Sequence, residues 1–170
     1  IYETKVEAGT KQWLKIPVDE ECSLKAAAFC GSRPGKRLIV TAGVHGCEYI
    51  GILAVSRLIQ ELDPRQMKGE VVFLPIANEG GFYKEIKQLV PEDGVNLNRA
   101  FPGTEMGSRS AKIAAAVETY LYPDADFLVD LHSGDIHEMV VPFAFFPVAA
   151  GETVEKKAAA AARAMSLSWR

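Results

Sequence analysis

With 170 residues, 48% of them hydrophobic and 24% charged, the chain has about one domain's length and the composition of an ordinary globular protein. A net charge of −3 without a basic stripe argues against a nucleic-acid surface, and the lack of any apolar run of about 18 residues argues against a membrane span. Three cysteines (Cys22, Cys30, Cys47) form an odd set without CxxC spacing, so reduced thiols in a cytoplasmic protein are expected rather than a disulfide framework.

Lys11 to Val18 and Leu24 to Cys30 read as strands joined through Asp19-Glu20-Glu21. Gly31-Ser-Arg-Pro-Gly35-Lys36 is one residue short of a phosphate loop and lacks its Ser/Thr, so it is read as a hairpin turn. Arg37 to Ala42 is a continuous apolar run of the kind that forms buried central strands. Glu48 to Leu62 carries helical spacing through Ile52, Val55, Leu58 and Ile59, and Pro64 closes it. Glu70 to Ala77 is the next buried strand, Ser108 to Leu121 an amphipathic helix ended by Pro123, and Phe127 to Leu131 another buried strand. Val140 to Phe146 reads as a further strand, with Pro142 marking an edge or bulge. Glu152 to Met165 is an Ala-rich helix whose Lys156-Lys157 pair faces solvent, and a further strand is expected to begin at Ser168-Trp169-Arg170. The alternation implies an α/β fold, its mostly parallel or mixed sheet covered by helices on both faces. There is no charged-then-apolar leader, Ile1 is not a natural start and the last strand is unfinished. The expectation is therefore one domain over 1–170, clipped before its end.

Three stretches carry chemistry: His45-Gly-Cys-Glu48, Asn96-Leu-Asn98-Arg99 and Asp130-Leu-His132-Ser133. His45 follows a buried strand and Glu48 begins the next helix. His132 ends a different buried strand. Open α/β sheets bind ligands at such strand ends, and if the two strands are neighbours, two imidazoles and a carboxylate can meet at one zinc ion. The bland alternative makes Glu48 a helix N-terminal carboxylate, worth under about 1 kcal/mol, and His45 a hydrogen-bonded turn residue. Cys47 points away from both and has a packing role. Asp130 is either an acceptor that fixes the tautomer of His132 or a satisfied strand-end carboxylate. His137 is a loop residue.

Asp93-Gly94 marks a turn that leads into Asn96-Leu97-Asn98-Arg99-Ala100-Phe101-Pro102-Gly103. The Arg99 fork suits a substrate carboxylate, with Asn98 as a second donor; the alternative is an ion pair with Glu105. A serine hydrolase built on Ser133 lacks the Gly-x-Ser-x-Gly elbow.

From about Leu38 to Gly134, these stretches in this order resemble the zinc carboxypeptidase-like superfamily, and more closely its succinylglutamate desuccinylase/aspartoacylase branch. Gly43-Val-His45-Gly-Cys-Glu48 looks like the branch's first metal motif, Asp93-Gly-Val-Asn-Leu-Asn98-Arg99-Ala-Phe-Pro-Gly103 its substrate-anchoring loop, and Asp130-Leu-His132-Ser-Gly its third-ligand strand. The resemblance implies a zinc carboxypeptidase-like fold with one zinc ion on His45, Glu48 and His132, and a substrate carboxylate held by Asn98 and Arg99. It also implies a carbonyl-polarising arginine, in whose place the nearest candidate is Lys87. The water-activating glutamate is expected beyond residue 170, since Glu138 and Glu152 lie too near His132. The expected activity is zinc-dependent hydrolysis of a small N-acyl amino acid or related acidic amide. A peptide-cleaving metallocarboxypeptidase and a non-catalytic ligand-binding domain of the same fold are the alternatives.

Overall fold

The computed structural model of the chain describes residues 5–148, 150–165 and 167, in two compact units, 1–138 and 139–170. The first holds a five-stranded mixed sheet of β1 (Thr10–Pro17), β2 (Ser23–Cys30), β3 (Arg33–Ala42), β4 (Lys68–Leu74) and β7 (Phe127–Leu131), in the order β1-β2-β4-β3-β7. β1, β2 and β4 pair antiparallel, whereas β3 runs parallel to both β4 and β7. A two-stranded ribbon of β5 (Leu89–Val90) and β6 (Val95–Asn96) lies apart from it. The helices are α1 (Tyr49–Glu61), α2 (Glu79–Tyr83) and α3 (Arg109–Tyr120), with α4 (Glu152–Ala164) in the second unit.

The unbroken apolar runs follow from burial of both sheet faces, because successive strand side chains point to opposite sides. On one face Ile39, Val72 and Leu74 join Ile113, Ala114 and Val117 of α3. On the other, Val40, Ala42, Val71, Phe73 and Phe29 meet Ile52, Val55 and Ile59 of α1. The Phe29 and Phe73 rings pack edge to face, 5.5 Å apart. An α/β sheet covered on both faces is therefore the observed architecture.

Three expectations need correction. The Gly31–Lys36 segment is not a hairpin, since β4 lies between β2 and β3. Instead it opens β3 irregularly against β4, with Arg33 opposite Lys68 and then Arg37 opposite Glu70. Gly31 N–H donates to Gly69 O at 2.8 Å, and a methyl group on Gly35 would lie 2.8 Å from Gly69 N. β7 is only half-buried, with Leu128 and Asp130 exposed, because β3 is its single strand neighbour among the described residues. Val140 to Phe146 forms no strand: Pro142 and Pro147 donate no amide hydrogen, no ladder forms there, and most of its side chains are exposed. The strand expected from Ser168 falls outside the described residues.

Candidate metal centre

β3 and β7 are neighbours, with Ala42 paired to Leu131 at their C-terminal ends. His45 lies three residues beyond β3 and His132 one beyond β7, which satisfies the condition for convergence. The start of α1 is drawn close to β7, since a methyl group on Gly51 would lie 3.0 Å from Leu131 O. Glu48, the residue preceding α1, is thereby brought to the end of β7. It makes no side-chain capping bond to its own helix.

Its carboxylate instead lies between the two imidazoles. Glu48 Oε1 is 2.6 Å from His45 Nδ1, and Oε2 is 2.9 Å from His132 Nδ1 and accepts Ser133 N–H at 3.0 Å. Ligand-type atoms of His45, Glu48 and His132 all lie within 4.8 Å of one another. His45 and Glu48 are each only 8% exposed. The site is built into the fold.

The outer nitrogens are also engaged. Asn96 Oδ1 accepts Asn98 N–H at 2.9 Å and sits 3.1 Å from His45 Nε2. Acceptor oxygens thus face both ring nitrogens of His45, Asn96 at Nε2 and Glu48 at Nδ1. His132 Nε2 is 2.8 Å from Asp130 Oδ2, and Asp130 Oδ1 accepts the Thr41 hydroxyl at 2.6 Å. This favours the tautomer-fixing reading of Asp130. Two imidazole nitrogens and one carboxylate form a donor set that suits zinc.

Electrostatics match this geometry. Burial alone would raise the Glu48 carboxyl, but hydrogen bonds from His132, His45 and Ser133 N–H outweigh it and hold it at about 2. The Asp130 and then the Glu48 carboxylate raise His132 to about 10. Both its ring nitrogens then donate to carboxylates, so a cation must displace a proton to bind there.

The other expected residues fall around this cluster. Asn98 and Arg99 are exposed beside β6. Arg99 donates only to Asn98 O at 3.4 Å and has no carboxylate partner among the described residues, so the Glu105 pairing does not form. Lys87 Nζ is 3.0 Å from the Asp135 carboxylate, in an ion pair with the loop that follows His132. Cys47 is buried and accepts the Tyr49 hydroxyl at 3.8 Å; with Cys22 and Cys30 it is a free thiol. His137 sits in an exposed turn. Asn96, Thr41 and Ser133 were not singled out as supporting groups in the sequence. Asn96 and His45 are 51 residues apart, and only the closeness of Asn96 to Asn98 hinted at its role.

The catalytic-domain profile of succinylglutamate desuccinylase/aspartoacylase matches residues 34–169. The chain belongs to the succinylglutamate desuccinylase/aspartoacylase family. Within that family it is 33% identical over 162 residues to the N-alpha-acetyl-L-2,4-diaminobutyric acid deacetylase of Halomonas elongata, an alignment covering 92% of this chain and 47% of that relative. An aspartoacylase family protein from Mesorhizobium loti superposes with a TM-score of 0.64 at 35% identity, over 73% of this chain and 40% of that one. The product-bound ectoine utilization protein EutE of Ruegeria pomeroyi superposes with a TM-score of 0.63 at 29% identity, over 74% and 40%. The chain spans about half the length of the curated relative it matches.

Proposed function

We propose that the protein is a zinc-dependent hydrolase that cleaves the amide bond of a small N-acyl amino acid or related acidic amide. The observation that carries this reading is the convergence of His45, Glu48 and His132 at the ends of two adjacent parallel strands. These three would hold one zinc ion. When bound, it supplies Lewis-acid polarisation of a carbonyl and an acidified water. Family membership supports the deacylase reading, as does the name of the Halomonas relative, a deacetylase of an N-acetylated diamino acid.

The chain's own groups have separate tasks. Asn96 and Asp130 hold the two imidazoles so that both Nδ1 atoms face the site. The Arg99 fork, which has no carboxylate partner among the described residues, takes the substrate carboxylate bidentately, with the Asn98 amide beside it, which fixes the substrate in orientation. Lys87, held by Asp135, must exchange that partner to reach a substrate carbonyl. A carboxylate base would take the proton of the attacking water. No described helix is long and apolar enough to cross a membrane, and the free thiols accord with a cytoplasmic location.

The test is hydrolysis by the full-length protein. N-acetyl and N-succinyl amino acids are compared with short peptides by release of the free amino acid. Turnover of the acyl amino acids that disappears in His45→Ala and His132→Ala supports the reading. Preference for peptides would make the protein a carboxypeptidase. No turnover of either, with metal bound, would make it a ligand-binding domain.

A further inference from the structure

The segment bearing Asn96, Asn98 and Arg99 carries little regular structure beyond a short ribbon and a single 3-10 turn. β5 and β6 pair through two residues each, and Asn98 and Arg99 are exposed. An anchor for a substrate carboxylate must nevertheless be held in place, since a misplacement of about 1 Å can cost about a hundredfold in rate. Besides the contact of Asn96 with His45, the segment is fastened at three points. Leu97 is fully buried in the core on the α3 side. Downstream, Thr104 N–H donates to Ala111 O at 3.1 Å, and Gly103 lies so close to α3 that an added methyl would sit 2.3 Å from Ala111 O. Upstream, Asn78 Nδ2 donates to Leu89 O of β5, and the side chain that ties the turn to α3 is Asp93.

Helix α3 is preceded by Ser108, whose hydroxyl makes no capping bond to the helix. The orphan amides of a first turn need acceptors, and Asp93 supplies one from outside the helix. Asp93 Oδ2 accepts both Ser110 N–H and the Ser110 hydroxyl, each at 2.7 Å. Its Oδ1 accepts Val95 N–H at 3.0 Å, which also shapes the turn into β6. Ser110 is 1% exposed, so the far end of this link is embedded in the core. A carboxylate at a helix N-terminus also gains from the helix dipole.

We propose that Asp93 is a positioning residue: its carboxylate fastens the Asn96–Arg99 segment to the first turn of α3 and so sets where Arg99 meets the substrate. The link runs from the α3 amide through Asp93 and the β5–β6 turn to Asn96, which contacts His45. The inference rests on the reading of Arg99 as the carboxylate anchor. Asp93→Asn keeps the shape and removes the charge that makes these bonds about twice as strong as neutral ones.

The test uses the full-length protein with its metal. For an N-acyl amino acid, Asp93→Asn is expected to raise KM about tenfold with kcat changed less than about threefold, a penalty close to 1.4 kcal/mol. For the corresponding α-amide, which has no carboxylate, KM should not change. In an Arg99→Ala background the same substitution should add nothing, because the two residues act in series. Amide hydrogen exchange over residues 94–100 should quicken in Asp93→Asn while α1 and β3 keep their protection. Ser110→Ala, which keeps the backbone donor and loses the hydroxyl, should give a smaller effect of the same kind and stands in if Asp93→Asn fails to fold. Equal KM changes for acid and amide, or additive losses with Arg99→Ala, would overturn the proposal and leave the hydrolase reading intact. A wild-type protein that turns over no N-acyl amino acid would end the hydrolase reading instead; exchange then decides on the fastening alone, and unchanged exchange overturns it.

Discussion

Gly46 lies between the two residues of the first candidate motif, and replacing it by alanine perturbs the site without touching a donor atom. A methyl group at this position would lie 2.2 Å from Gly81 C, 2.4 Å from Phe82 N and 2.6 Å from Gly81 O. Carbon contacts normally settle at about 3.5–4.0 Å, so one backbone must retreat by roughly 1 Å. Neither side yields cheaply. α2 is held by Asn78, 1% exposed, whose Oδ1 accepts Gly81 N–H at 2.9 Å and whose Nδ2 donates to Leu89 O at 3.0 Å. The turn bearing Gly46 leads from β3, and its neighbour Val44 is packed in the core. Overpacking of this kind costs about 1–3 kcal/mol, equivalent to a fall in Tm of roughly 2–4 °C per kcal/mol for a chain of this size. Because His45 and Glu48 flank the site of strain, metal affinity should fall as well, by about tenfold or more. The assay is zinc Kd by chelator competition at constant pH, with Tm from the same preparation. Gly9→Ala is the control: the added methyl would meet Arg65 Cγ at an ordinary 3.7 Å, but φ is +75°, so stability alone should fall, by about 1 kcal/mol. A Gly46→Ala protein with wild-type zinc Kd and Tm would refute the steric argument.

Phe29→Ala should lose about 3–5 kcal/mol, because the ring is 1% exposed and packs on Phe73; a loss below about 1 kcal/mol in urea titration would show that the core is not packed as described. Asp130→Asn should weaken zinc binding about 10- to 100-fold while circular dichroism stays unchanged, and unaltered affinity would remove Asp130 from the site. Burial raises the Asp93 carboxyl, but the bonds from Ser110, Ser108 and Val95 prevail and hold it at about 2, below its ordinary 3.8. The stability it contributes is therefore present above pH 3.8 and lost as pH falls through 2. The stability gap between wild type and Asp93→Asn should shrink between about pH 4 and pH 2; a gap independent of pH would contradict this.

Where local periodicity and burial coincide, the fold was legible in the sequence. In Arg37 to Ala42 the apolar Leu38, Val40 and Ala42 share the face toward α1 while Ile39 serves the other, and the Ile52-Val55-Ile59 spacing matches the α1 face that packs on Phe73 and Val40. What failed depends on partners remote in the chain. Phe127 to Leu131 has the composition of a buried strand, yet Leu128 is exposed, since only a second neighbouring strand or a covering helix would bury it. Gly31 to Lys36 looked like a hairpin because β2 and β3 are adjacent in sequence, whereas in space β4 separates them. Val140 to Phe146 has strand composition but builds no ladder. The candidate site divides in the same way. His45, Glu48 and His132 stood out by residue type, spacing and position at strand ends, and the family motifs singled out Arg99. The outer contacts from Asn96 to His45 and from Asp93 to Ser110 cross 51 and 17 residues; no local pattern signals them.

The claim that His45, Glu48 and His132 form a zinc site is tested most directly by elemental analysis of the full-length protein after dialysis, beside its His132→Ala variant. The account predicts about one zinc per chain in the wild type and a loss of most of it in the variant, both with the same circular dichroism. A folded wild type without zinc, or a variant that keeps its full complement, would contradict it.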